Sequence, residues 1–254
     1  VGYQAGYSNQ TSSYITAVGY LAGYATTGGL ITGIGYQALT ANTTGRNTAV
    51  GVNSSAAITT GSNNTAVGDT SLVFNVTGNA NTAVGDTALR SNTASNNTAV
   101  GYQAGYTNST GANNTAVGFA SLYSNTTASN NTAVGYQAAY SNTTGTQNVA
   151  FGATAGYSTT TGSNNVSVGT SALFSNVSGT NNTAIGNFSQ YPTTGSFNTV
   201  RSRSNSPQIH LVDPLPNMSL FIPHIFPNIK TARICKVFDN NQIGQVKRVD
   251  FVTK

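Results

Sequence analysis

One dipeptide recurs along most of the chain: Val-Gly, replaced by Ile-Gly at Ile34 and Ile185 and by Phe-Gly at Phe151. Its glycines are Gly2, Gly19, Gly35, Gly51, Gly68, Gly85, Gly101, Gly118, Gly135, Gly152, Gly169 and Gly186. The steps between them are 17 residues eight times and 16 residues three times. Twelve copies held in register require one small structural unit stacked on itself. A composition dominated by Asn, Thr, Gly, Ala and Ser can also describe a disordered low-complexity tract. A disordered tract has no reason to keep a period, so the stacked repeat is the expectation.

A clean copy, residues 131–145, reads Asn-Thr-Ala-Val-Gly-Tyr-Gln-Ala-Ala-Tyr-Ser-Asn-Thr-Thr-Gly. The position three after the key glycine is always Ala or Ser, from Ala5 to Ser189, which marks a column with no room for a larger side chain. Five after it stands an aromatic ring in many copies, among them Tyr7, Tyr24, Tyr106, Tyr123, Tyr140, Tyr157, Phe174 and Tyr191. Seven after it the residue is usually Asn. A variable Thr/Ser/Gly turn follows, where the shorter copies can lose a residue without disturbing the rest.

Asn-Thr-Ala-Val reads as a short strand with Thr and Val on one face and Ala on the other. Glycine then bends the chain. A second short extended piece is expected to carry the small and aromatic columns, with Val and Ile filling the interior. Seventeen residues are too few for a helix pair, and Asn, Thr, Gly and Val are poor helix formers. The fold class expected is therefore all-β: a parallel β-solenoid, or β-roll, of twelve coils over residues 1–200. At roughly 4.8 Å per step twelve coils make a rod about 55–60 Å long, and stacked Asn can hydrogen-bond from rung to rung. So thin a core favours oligomerisation.

Charge divides the chain in two. Charged residues are 6% of the whole, against roughly a quarter in ordinary domains. Residues 1–200 carry only Arg46, Asp69, Asp86 and Arg90 and sum to zero; the net +5 comes entirely from residues 201–254. Cys235 is the one cysteine, so no intrachain disulfide forms and redox compartment is not readable. No apolar run is long enough to span a bilayer. The chain opens in mid-repeat at Val1, with no signal peptide visible, so further sequence upstream is expected.

The repeated Asn-Thr-Ala-Val-Gly-x-x-Ala resembles the head repeats of trimeric autotransporter adhesins. It is also similar to repeats of phage and large-virus fibre proteins, often placed ahead of an endosialidase-type intramolecular chaperone. The resemblance covers roughly residues 1–200. It implies a homotrimer of parallel β-rolls forming a fibre on a cell or virion surface. The period here is longer than the usual adhesin head repeat, and no chaperone, anchor or coiled-coil stalk is read in residues 201–254.

Residues 201–217, rich in Ser and Pro, read as a linker. Residues 218–254 read as strand, helix and strand: Ser219 to Ile225, Lys230 to Phe238, and Ile243 to Val252. This βαβ segment resembles the first half of an RNA-recognition-motif-like fold, as in small domains of large DNA viruses. Phe221 and Phe251 could stack bases, and Lys247 and Arg248 could touch phosphates. Core packing for the two rings and a solvated strand face for the two cations are the plainer readings.

An enzyme needs convergent titratable groups, and none converge here. His210 and His224 have no metal-ligand spacing, and nothing in the pattern asks for a cofactor. Asp69 and Asp86 share a column one coil apart and could share a cation, or simply be solvated. Asparagine sequons occur at Asn75, Asn108, Asn142, Asn176 and Asn187; in a secretory context they would be glycosylated at surface turns, although composition alone also produces them. The leading expectation is a structural fibre or adhesin-like shaft. Tyr106, Tyr123, Tyr140 and Tyr157 would line either the chain–chain seam or a surface for a receptor, a glycan or a neighbouring virion protein. Thr48, Thr65, Thr82, Thr98, Thr115 and Thr132 stand in register, the logic of an ice-binding solenoid, although a Thr column that faces inward would defeat it. Nucleic-acid binding through the basic C-terminal segment is the third alternative.

Overall fold

The computed structural model describes residues 1–11, 14–189, 195–203 and 206–211, and from residue 200 onward by backbone alone. Thirteen strands follow one another: β1 Ile15–Val18, β2 Ile31–Ile34, β3 Asn47–Val50, β4 Asn64–Val67, β5 Thr82–Val84, β6 Thr98–Val100, β7 Thr115–Val117, β8 Thr132–Val134, β9 Val149–Phe151, β10 Val166–Val168, β11 Thr183–Ile185, β12 Asn198–Arg203 and β13 Ser206–Leu211. They form one sheet in sequence order. The twelve strands β1 to β12 pair in parallel, each with the next. Parallel neighbours need a crossover of a dozen or more residues, and the rest of each coil supplies it. The result is a β-solenoid of about eleven turns.

Register follows the columns. Thr65, Ala66 and Val67 lie beside Thr82, Ala83 and Val84, and these beside Thr98, Ala99 and Val100, although the second step is one residue shorter. The lost residue comes out of the turn, as expected. At the C-terminal end Arg201 pairs with Ile185, so it occupies the valine column. Strands β12 and β13 also occupy part of the stretch expected to be a linker from residue 201. Residues 212–254, including Phe221, Lys247, Arg248, Phe251 and the expected βαβ segment, lie outside the described residues.

Two expectations about the coil need correcting. The first concerns the interior. The strand alternates as predicted, but Ala is the buried residue and Val points out: in β4, Asn64 and Ala66 are buried while Thr65 and Val67 are exposed. The reason is wall-to-wall distance. Ser54, in the small column, donates across the interior to the Ala66 carbonyl at 3.2 Å. No Val fits in that gap. The core is therefore made of strand alanines such as Ala83 and Ala99, the small column such as Ala104 and Ala138, and a few larger residues: Leu39, Ile58, Leu72, Leu89, Leu122 and Leu173.

The second correction concerns the piece after the glycine, which is not extended. It is a run of tight turns in which φ becomes positive at alternate residues. In one coil these are Gly118 (φ 124), Ala120 (φ 49) and Leu122 (φ 48). The Ser121 N–H donates back to the Gly118 carbonyl, while the Leu122 N–H donates onward to Ala138 in the next coil at 3.0 Å. The chain thus alternates between closing its own turn and bonding its neighbour. A left-handed Leu costs roughly 1–2 kcal/mol. Complete burial of its side chain offsets that by about 1.5–3 kcal/mol.

Buried asparagines knit the coils together in two ladders. Asn47, Asn64, Asn81, Asn97, Asn114, Asn131, Asn148, Asn165, Asn182 and Asn198 open the strand segment of successive coils. The backbone N–H of each donates to the side-chain oxygen of the previous one at 2.9–3.1 Å, nine times in succession. Most of their amide nitrogens donate to a turn carbonyl of the following coil, as Asn114 does to Ala128 at 2.8 Å. The second ladder lies seven residues after the key glycine: Asn125 donates to Asn108, and Asn142 to Asn125, at 2.6 and 2.9 Å. It breaks where Asn gives way to Thr. Asn142 Oδ1 finds no donor because the next rung is Thr159, whose own hydroxyl is also unpartnered.

Candidate interaction surface

The outward face of the sheet is a double stripe. One column is Thr16, Thr32, Thr48, Thr65, Thr82, Thr98, Thr115 and Thr132, continued by Val149 and Val166. The other runs Val18, Ile34, Val50, Val67, Val84, Val100, Val117, Val134, Phe151, Val168 and Ile185. Several of these apolar side chains are more than a third exposed, with Phe151 at 56%. From β1 to β11 neither column contains a charged residue. The threonines face outward, so the objection that they point into the core does not hold.

Beside this stripe stands a ring column that the sequence reading did not separate out, one residue after the key glycine. Tyr3, Tyr20 and Tyr36 stack at 5.2–5.3 Å, and Tyr102, Phe119 and Tyr136 at 5.2–5.4 Å. These rings are 43–64% exposed. The signal was present as an aromatic after Val-Gly, but Val52, Asp69 and Asp86 interrupt it and hide the period. Those two carboxylates sit on adjacent rungs of this column and both are exposed. Among the described residues no group of three His, Cys, Asp or Glu side chains is placed to hold a metal.

The expected tyrosines form a separate and longer stack. Tyr106, Tyr123, Tyr140, Tyr157 and Phe174 follow at 5.0–5.2 Å with planes within 8° of parallel. Arg90 caps the stack, its guanidinium 5.5 Å from the Tyr106 centroid and 4.8 Å from that of Phe74. Aromatic pairs contribute about 0.5–1.5 kcal/mol each beyond their buried area. Inside the stack every ring face is covered by another ring, so the side open to solvent is a row of edges and hydroxyls. A sugar that binds by lying on a ring face has no place there.

Burial holds the Tyr140 phenol above its ordinary value, and the neighbouring Tyr123 and Tyr157 push it the same way. A raised acid in the folded state keeps its full stabilising contribution below the ordinary phenol value of about 10. That contribution is lost as pH rises through the raised value. In an alkaline titration followed by phenolate absorbance and circular dichroism, Tyr140 should ionise above the ordinary phenol value, as the fold begins to fail. Tyr140→Phe should move that failure to higher pH.

Of the sequons, Asn75, Asn108, Asn142 and Asn176 are buried at 0–2% exposure and are not at surface positions, whereas Asn187 is exposed. Comparison with protein-family models, curated proteins and solved structures returned no match.

Proposed function

We propose that the chain is a structural fibre or adhesin-like shaft, on a virion or cell surface, whose solenoids associate as a homotrimer through the outward sheet face. The observation that carries this reading is the Thr/Val stripe, uncharged from β1 to β11. Ten steps at roughly 4.8 Å make it about 50 Å long, and three residues of strand make it about 10 Å wide. That is about 500 Å², at the upper end of what single soluble chains leave uncovered. A stable interface needs roughly 800 Å² from each partner. Adding the rings of Tyr20, Tyr36, Tyr102, Phe119 and Tyr136 widens the face on either side of Val52, Asp69 and Asp86 and brings it nearer to that area. The seam therefore takes in these rings, and the Tyr106–Phe174 stack lies apart from it, free to meet a receptor or a neighbouring surface protein through its hydroxyl row.

The outward threonines favour a second reading, in which the same face lies against ice. Both readings use one surface, so one measurement separates them: the mass of the full chain in solution, by light scattering and sedimentation, for wild type and for Val100→Lys with Val117→Lys. A trimer that the two lysines reduce to monomer is the expected result. A wild-type monomer removes the fibre reading and leaves the face open, and thermal hysteresis then tests it against ice. The small βαβ segment and nucleic-acid binding by residues 218–254 remain proposals of the sequence alone.

A further inference from the structure

Asparagine-linked glycosylation reads a sequon, Asn-x-Ser/Thr, in chain that is not yet folded. The transfer joins the amide nitrogen to the anomeric carbon of a lipid-linked oligosaccharide, expels the lipid diphosphate and releases one amide proton. It needs a free amide and space beyond it. This chain is full of sequons, and most of those in the described residues fall into two sets.

The first set is sealed inside. Asn42, Asn75, Asn108, Asn125, Asn142, Asn165 and Asn176 each precede a hydroxyl residue by two positions and are 0–2% exposed. Their amide nitrogens are committed to the ladders: that of Asn108 donates to Asn92 Oδ1 at 2.6 Å and to the Gly111 carbonyl at 2.8 Å. That of Asn125 donates to Asn108 and to the Ala128 carbonyl. A sugar at either nitrogen would remove these bonds and would have to fit in a core that admits only small side chains. The second set is open. Asn63, Asn96, Asn113, Asn130 and Asn181 stand one residue before the strand ladder, exposed, with φ between 57 and 62. Each is followed by Asn and then by an outward-facing Thr.

We infer that this chain folds without first meeting an oligosaccharyltransferase, and that once folded it offers such an enzyme an outer column of acceptors, Asn63, Asn96, Asn113, Asn130 and Asn181, and none of the seven inner asparagines. The sorting of the asparagines does not depend on the trimer. A chain that entered a eukaryotic secretory pathway unfolded would present both sets at once. Glycans on the inner set would then prevent the coils from closing. If the shaft does stand on an outer surface, it arrives there already folded, or by a route without that enzyme.

The test is to express the full chain behind a secretion leader in a eukaryotic host, with and without an inhibitor of lipid-linked oligosaccharide synthesis. Glycans are mapped by mass spectrometry and folding is read by protease resistance and circular dichroism. A third arm, without inhibitor, replaces the seven second-position hydroxyls by alanine: Thr44, Thr77, Thr110, Thr127, Thr144, Ser167 and Ser178. Six of these are exposed in turns, and all seven changes leave the asparagines in place. The expected result is glycan on inner asparagines and no solenoid in the uninhibited wild type. The inhibited wild type and the seven-fold variant should both fold, the latter carrying sugar on exposed acceptors and on none of the seven inner asparagines. Folded, uninhibited wild type would overturn the inference, whether its inner sequons are glycosylated or skipped. So would failure of both the inhibitor and the variant to restore the fold.

Discussion

Gly101→Ala should destabilise the solenoid by about 3–5 kcal/mol, whereas Gly28→Ala should change its stability by less than about 0.5 kcal/mol. Gly101 has φ 133, a region essentially closed to residues with a side chain. A β-carbon built there would fall 2.6 Å from the Gly118 carbonyl oxygen and 2.8 Å from its carbonyl carbon. Both are backbone atoms of the next coil, so no side-chain rotation can relieve the contact. Gly118 repeats the same geometry against Gly135, so a shift at one rung is resisted by the next. Gly28 has an ordinary φ and nothing within 4 Å of the position its β-carbon would take. A solenoid holds each coil only through its neighbours, so the damage at Gly101 should stay local. Hydrogen exchange should accelerate in β5, β6 and β7 and remain slow in β2 and β10. Urea unfolding should broaden as the two halves lose their coupling. A uniform rise in exchange along the whole rod would mean that the coils fold as one cooperative block.

The key glycines also explain what could be read in advance. A column that tolerates one residue type at every rung betrays itself as a period, so the coil length, the parallel stacking and the place of the strands β1 to β11 were all legible in the chain. The small Ala/Ser column was legible for the same reason. Which face of the strand turns inward was harder. Hydrophobicity assigns Val to the core and Ala to either side, and only the narrowness of the coil reverses that order. The bends after each glycine were also hidden: Leu72, Leu89, Leu122 and Leu173 occupy left-handed positions that leucine seldom adopts, so no propensity announces the turn. Of the candidate surface, the half-covered tyrosine stack was visible as a column. The exposed ring column beside the sheet was not, because Asp69 and Asp86 stand in it.

The strand asparagines should matter more than those of the second ladder, although the two sets are equally buried and equally polar. Replacing Asn114 by Leu should cost about 3 kcal/mol, and replacing Asn142 by Leu about 1 kcal/mol, measured by urea unfolding of the full chain. The difference lies in which partner is left alone. Asn114 Oδ1 accepts the Asn131 backbone N–H at 2.9 Å. Removing that acceptor strands a donor in an interior with no water to replace it, which costs roughly 1–3 kcal/mol beyond the lost bond. Its amide donates to the Ala128 carbonyl, but Asn125 donates to the same oxygen at 3.0 Å, so that acceptor stays satisfied. Asn142 is the reverse case. Its oxygen has no donor even in the native chain, and its amide serves two acceptors, Asn125 Oδ1 and the Gly145 carbonyl. Under-satisfied oxygens are tolerated better than orphaned N–H groups. Equal losses at the two sites would mean that the ladders act through side-chain stacking alone. The predicted inequality would mean that the first ladder holds the backbone of each strand to the coil before it, where the period of the whole rod is set.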